Sequence, residues 1–196
     1  MPAMRRIGLL GGSFNPAHGG HLHISKLALD LLRLDEVWWL VSPGNPLKSP
    51  EDMAPFAERM ASAKAAVKDC KLPIIVSGIE NEIGSRYSVD TLGELILRFA
   101  DNRFVWLMGA DNLILFHRWK KWRTFFRMVP IAVFPRPSYS SRARKAEAAI
   151  HFAEARAPGS RAGSLAEMTP PAWIFLRAGT DAESATRIRK RQKRNR

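Results

Sequence analysis

Two histidines three residues apart, His18 and His21, stand in the run GGSFNPAHGGH over residues 11–21. Imidazole N–H groups suit phosphate oxygens, and two of them together can meet negative charge as it shifts during transfer of a phosphate-bearing group. A spacing of three places both on one side of a helical turn. The residues before them fit the same chemistry. Gly11 and Gly12 lack a Cβ, so their backbone N–H groups can approach an anion closely. The stretch that follows has Ile24, Leu27, Ala28, Leu31 and Leu32 on one stripe, which predicts a helix over residues 21–34. Its positive end would face the same anion. The short apolar run Arg6–Leu10 ahead of the glycines reads as a buried strand.

Competing explanations of this run are weaker. A dinucleotide loop needs G-x-G-x-x-G, whereas the glycines here are Gly8, Gly11 and Gly12; a P-loop needs a Lys-Ser/Thr pair that does not follow. A tetrahedral metal site wants three or four ligands. The other histidines are His23, His117 and His151, and His23 is expected to point off the shared face. No metal-ligating residue is therefore assigned.

The elements that must position these residues alternate along the chain. After the first strand and helix come a strand over residues 36–42, a loop, and an Ala-rich helix over 55–68 opened by Pro55. A third strand covers 72–78. Ser88 suits the N-cap of a helix over 89–99, with Asp90 in its first turn. Strand four covers 103–109, a short helix 117–126, strand five 130–136, a helix 141–155, a flexible loop 157–165 and strand six 172–177. Residues 137–165 as a whole read as a surface excursion. Six apolar strands alternating with helices predict an α/β, Rossmann-like, doubly wound fold with a largely parallel sheet. In such sheets ligands bind at the carboxyl ends of the strands, where GGSFNPAHGGH lies.

Composition adds bounds. The chain has 196 residues, 46% of them apolar, which suits a single domain over residues 1–189. One cysteine, Cys70, excludes an internal disulfide framework and fits a reducing, cytoplasmic setting. No apolar run is long enough to span a membrane. The net charge is +13, but seven basic side chains crowd the last ten residues, leaving +6 on the rest. The excess is thus partly a tail over residues 190–196, expected to be disordered, and no specific nucleic acid is expected as partner. A moderately basic body suits small anionic substrates such as nucleotides.

GSFNPAHGGH resembles the (T/H)-x-G-H signature of the nucleotidyltransferases of the cytidylyltransferase-like superfamily. Among them, the chain is similar to the bacterial nicotinate-nucleotide adenylyltransferases. Four further stretches carry the likeness, in the family's order: PGNPLK (residues 43–48), RYSVDTL (86–92), MGADNLILFHRWKKW (108–122) and SATRIR (184–189). The resemblance implies adenylyl transfer from ATP to nicotinate mononucleotide, giving nicotinate adenine dinucleotide and pyrophosphate, with Mg²⁺ held mainly by the ATP phosphates. The attacking phosphate oxygen is already anionic, so no general base is required and catalysis is positioning plus charge stabilisation.

The same resemblance implies roles. His18, His21 and Arg189 would be catalytic. Gly11, Gly12, Ser13, Phe14, Lys48, Gly109, Asp111 and Ser184 would bind ATP, with Asp111 on ribose hydroxyls. Asn15, Thr91 and Trp119 would bind the nicotinate nucleotide, Trp119 by stacking on its ring and Thr91 at a helix start that meets its carboxylate. Ala185 stands where the family has a second serine, which removes one hydroxyl contact. The alternatives are another adenylyltransferase, such as one acting on pantetheine phosphate, and a basic nucleic-acid-binding protein.

Overall fold

The computed structural model describes residues 4–44 and 53–177. Six strands form one sheet: β1 (Arg5–Gly12), β2 (Glu36–Val41), β3 (Ile74–Ser77), β4 (Asn102–Gly109), β5 (Ile131–Phe134) and β6 (Trp173–Phe175). Their order is β3-β2-β1-β4-β5-β6 and every pairing is parallel. The fold is therefore Rossmann-like, as the alternation predicts.

Parallel strands covered on both faces must be apolar on both faces. Alternate residues accordingly feed two cores. Phe104, Trp106 and Met108 of β4, with Ile7 and Leu9 of β1, enter one. Val105 and Leu107 of β4, with Leu10 of β1 and Val37, Trp39 and Val41 of β2, enter the other. Helices α1 (Gly19–Leu32) and α2 (Phe56–Lys68) pack with the second core. Helices α4 (Ser88–Arg98), α5 (Ala110–Leu115) and α6 (Trp122–Phe126) pack with the first. The short α3 (Ile79–Glu82), α7 (Ser140–Arg144) and α8 (Glu147–His151) complete the set.

The strand order reverses direction between β1 and β4. Chain leaving these two strands departs to opposite faces, which opens a crevice at their carboxyl ends. Gly11 and Gly12 end β1, and Gly109 ends β4. The sequence motif thus falls at the switch point.

Several sequence expectations change. The first helix starts at Gly19 rather than His21 because His18 caps it. The N-cap of α4 is Tyr87, and Ser88 is its first helical residue. Residues 117–126 are not one helix. A 3-10 turn over Phe116–Arg118 ends at an extended Trp119, and Lys121 turns the chain through a left-handed φ of 50° before α6. The turn lets Trp119 face the crevice while Trp122 enters the core. The expected helix over 141–155 is broken into α7 and α8, with Ala146 extended between them. The expected surface excursion and flexible loop, though largely exposed, also feed the core: Ala143, Ala148, Ala149, Phe152, Ala162 and Leu165 are all buried, and Gly159–Glu167 forms 3-10 turns against α1 and β4. Small alanines let these short pieces pack close to the sheet, a pattern too irregular for helical spacing to reveal.

Candidate active site

Gly11 lies beneath the indole of Trp106. A Cβ there would come within 2.7 Å of the ring, so only glycine keeps both β1 and Trp106 in place. The chain then turns at Phe14, whose φ of 45° is left-handed. This turn carries the Phe14 ring into the core, stacked on Trp39 at 5.0 Å and 4.6 Å from the His21 ring. Asn15 is buried and its Oδ1 accepts the backbone N–H of Ala54.

The histidines are arranged by the helix they begin. His18 is the N-cap of α1, and its Nδ1 accepts from the N–H of Gly20 at 3.1 Å. His21, three residues on, accepts the N–H of His18 on its own Nδ1 at 3.2 Å. This is a capping box built from two histidines. Both Nδ1 atoms act as acceptors, which assigns the hydrogen of each neutral ring to Nε2. The His21 turn is fixed further by Ser25. Its buried Oγ takes the Trp39 indole N–H at 2.8 Å and donates to the His21 carbonyl at 2.9 Å.

On the other side of the crevice, Gly109 precedes α5 and Asp111 lies in its first turn. A Cβ on Gly109 would come 2.5 Å from Asp111 Oδ1. The Asp111 carboxylate forms a tight ion pair with Arg136, in the chain just after β5. Trp119 is braced edge-on against Trp106 and Phe125 and tilted on Phe116. The start of α4 supplies the last wall, with Tyr87, Ser88 and Val89 facing the cavity.

These walls enclose one cavity of about 670 Å³. It is bordered by Gly11, Gly12, Ser13, Phe14, Asn15, His18, His21, Gly109, Asp111 and Trp119, ten residues that the sequence marks as candidates. His23 borders it too. Thr91 does not border it. Its side chain is fully buried and its N–H is bonded to Tyr87 O; the helix-start groups that face the cavity belong to Ser88 and Val89. Lys48, Ser184 and Arg189 lie outside the described residues, as does the basic tail.

Charge at the cavity is mostly positive: Arg86, Arg118, Lys120, Arg136 and Arg142 border it, against Glu80 and Asp111. A cleft of this sign concentrates anions. Glu80 is a carboxyl that sequence reasoning missed. Burial raises its pKa to about 7, and the Thr91 hydroxyl partly offsets that. That hydroxyl also reaches Tyr87 O, but at 3.4 Å this is a weak contact. Two more were missed: Arg136 closes the run read as strand five, and Arg142 sits in the stretch read as surface. Among the described residues, no group of three His, Cys, Asp or Glu side chains could hold a metal ion. No helix among them is long and apolar enough to cross a membrane.

Residues 9–191 match the sequence profile of the cytidylyltransferase-like family. The chain belongs to that family. A relative from Methylorubrum extorquens, named "Probable nicotinate-nucleotide adenylyltransferase", is 52% identical over 186 residues, covering 95% of this chain and all of the relative. One of the same name from Parvibaculum lavamentivorans is 50% identical over 95% of this chain and 92% of its own. Within the cytidylyltransferase-like family, the chain is therefore a member of the nicotinate-nucleotide adenylyltransferase group. The fold agrees with that of Plasmodium falciparum nicotinic acid mononucleotide adenylyltransferase, solved in complex with NaAD. The TM-score is 0.70 at 14% identity, over 95% of this chain and 83% of that one.

Proposed function

We propose that the cavity binds ATP and nicotinate mononucleotide together and catalyses adenylyl transfer between them. One observation carries this: the glycine loop with its capped histidines and the Trp119–Ser88 wall face each other across a single cavity. Relatives about half identical over nearly the whole chain bear the name of that activity.

A phosphate oxygen of the mononucleotide attacks the α-phosphorus of ATP in line. The bond from that phosphorus to the bridging oxygen breaks, and its electron pair leaves with pyrophosphate. No covalent enzyme intermediate forms and no proton need be removed. The protein's task is to hold two anions together and meet the charge that develops. Gly11, Gly12, Ser13 and Phe14 offer backbone to the nucleotide, and His18 and His21 donate from Nε2 to its phosphates. Gly109 and Asp111 bind the ATP ribose side, with Arg136 holding the carboxylate. Asn15 and Trp119 bind the nicotinate nucleotide, Trp119 by stacking under an electron-poor ring. The carboxylate of that ring meets the first amides of α4, at Ser88 and Val89, where the helix dipole favours an anion; Thr91 supports that turn from behind. Lys48, Ser184 and Arg189 are assigned to the triphosphate by their motifs alone.

Neutralisation of the leaving pyrophosphate would be supplied further by Mg²⁺ carried on the ATP phosphates. The phosphate-binding groups that border the cavity fit a metal carried in by the nucleotide. A cytoplasmic setting accords with the supply of ATP.

The decisive measurement is pyrophosphate release from ATP and Mg²⁺, with nicotinate mononucleotide and its amide offered in parallel. Strong preference for the acid is expected. Release with neither, from folded protein, would sink the acceptor assignment and make pantetheine phosphate the next acceptor to test.

A further inference from the structure

Arg59 sits within α2, away from the motifs that mark the cavity, yet it is only 2% exposed. Its guanidinium reaches four backbone carbonyls. Nη1 donates to Ser13 O and to Ser42 O, each at 2.7 Å; Nη2 donates to Pro43 O at 3.0 Å; Nε donates to Ala54 O at 2.9 Å. Ser13 stands directly after β1 and Ser42 directly after β2. One rigid planar group thus bolts together the two loops that leave neighbouring strands at the cavity edge. Ser13 and Ser42 both border the cavity, so the guanidinium lies just behind its wall.

The charge is the unusual part. Buried arginines are ordinarily paired with an acid. No carboxylate among the described residues lies within ion-pair distance of Arg59. Carbonyl dipoles solvate the cation without cancelling its charge. Burial lowers its pKa, but a guanidinium stays charged at neutral pH. The field of a full positive charge therefore passes into the loop that carries Gly12 and Ser13.

We infer that Arg59 is a positioning residue for the polyphosphate of the nucleotide. It fixes the loops after β1 and β2 in the shape the phosphates require, and its charge, met among the described residues by carbonyl dipoles alone, is answered by phosphate in the cavity. The role rests on the proposed function only in that the bound polyphosphate is taken to be ATP's.

The test uses Arg59→Lys and Arg59→Met in the full chain, studied well below their melting temperatures. Lysine keeps the charge but lacks the fork; methionine keeps much of the apolar stem and removes the charge. Inorganic tripolyphosphate is the probe, by calorimetry, beside steady-state kinetics with ATP varied and with nicotinate mononucleotide varied. We expect Arg59→Met to lose about tenfold or more in tripolyphosphate affinity and in kcat/KM for ATP, with Arg59→Lys between it and wild type. KM for the mononucleotide should move much less. Melting temperature lowered with tripolyphosphate affinity and ATP kinetics unchanged would overturn the inference and leave Arg59 a purely structural bolt. Should Arg59→Met fail to fold, Arg59→Lys carries the same comparison. Arg59-dependent tripolyphosphate binding in a protein that does not adenylylate nicotinate mononucleotide would uphold the inference while removing the acceptor assignment.

Discussion

His18 and His21 cap each other's turn. The backbone N–H of His18 donates to His21 Nδ1, His18 Nδ1 accepts from Gly20, and the two rings lie 3.9 Å apart between centroids. Each imidazole therefore uses Nδ1 to build the helix start, and the proposed phosphate contact is assigned to Nε2.

The two uses separate by mutation. Asparagine is as good an N-cap as any residue but has no Nε2–H at that reach. His18→Asn should keep stability within about 1 kcal/mol of wild type while kcat falls about a hundredfold or more. His18→Ala should lose the same activity and about 1 kcal/mol of stability besides. Chemical denaturation and pyrophosphate release distinguish them. An active His18→Asn would confine His18 to capping.

Gly109 and Asp111 form a second separable pair. A methyl group at Gly109 would strike Asp111 Oδ1, and Asp111 is held by Arg136. Gly109→Ala should therefore push the carboxylate off its position and act like Asp111→Asn, raising KM for ATP about tenfold with little effect on KM for the mononucleotide. Combining the two changes should cost little more than either alone, because both disturb one contact. Full additivity in the double variant would show that they act separately.

Trp119 tests the acceptor wall. Its ring is clamped by Trp106, Phe116 and Phe125, so its face is presented without loss of side-chain freedom on binding. Trp119→Ala should raise KM for nicotinate mononucleotide about tenfold or more, and Trp119→Phe less, with KM for ATP nearly constant. Equal effects on both substrates would point to collapse of the aromatic cluster rather than loss of stacking.

How much of this was legible beforehand follows from what kind of signal each part leaves. The parallel sheet announces itself in continuous apolar runs, whereas the switch point needs the order of strands within the sheet, which alternation along the chain does not give. The glycine loop and histidines are local in sequence, so spacing finds them. Arg59 and Glu80 are not local. Arg59 looks like one more charge on an Ala-rich helix, and its importance comes from carbonyls 46, 17 and 16 residues away. Glu80 looks like a solvated acid in IENE until α4 covers it. The same limit explains α7 and α8, whose alanines pack through contacts that no helical period records.

Glu80 gives the last prediction, in pH. It is 5% exposed, and burial, partly offset by the Thr91 hydroxyl, raises its pKa from 4.5 to about 7. Between those two values the folded protein holds a proton that the unfolded chain has released. The folded state is therefore favoured most below pH 4.5. That advantage shrinks as pH rises and is gone above about 7, a total change of about 3 kcal/mol. Glutamine cannot ionise, so Glu80→Gln should flatten the profile between pH 5 and 8 and gain stability over wild type at the upper end. Urea titrations of both proteins at several pH values within that range measure it directly. Parallel profiles for wild type and Glu80→Gln would mean that Glu80 titrates as an ordinary surface carboxylate, and that α4 does not seal it from water.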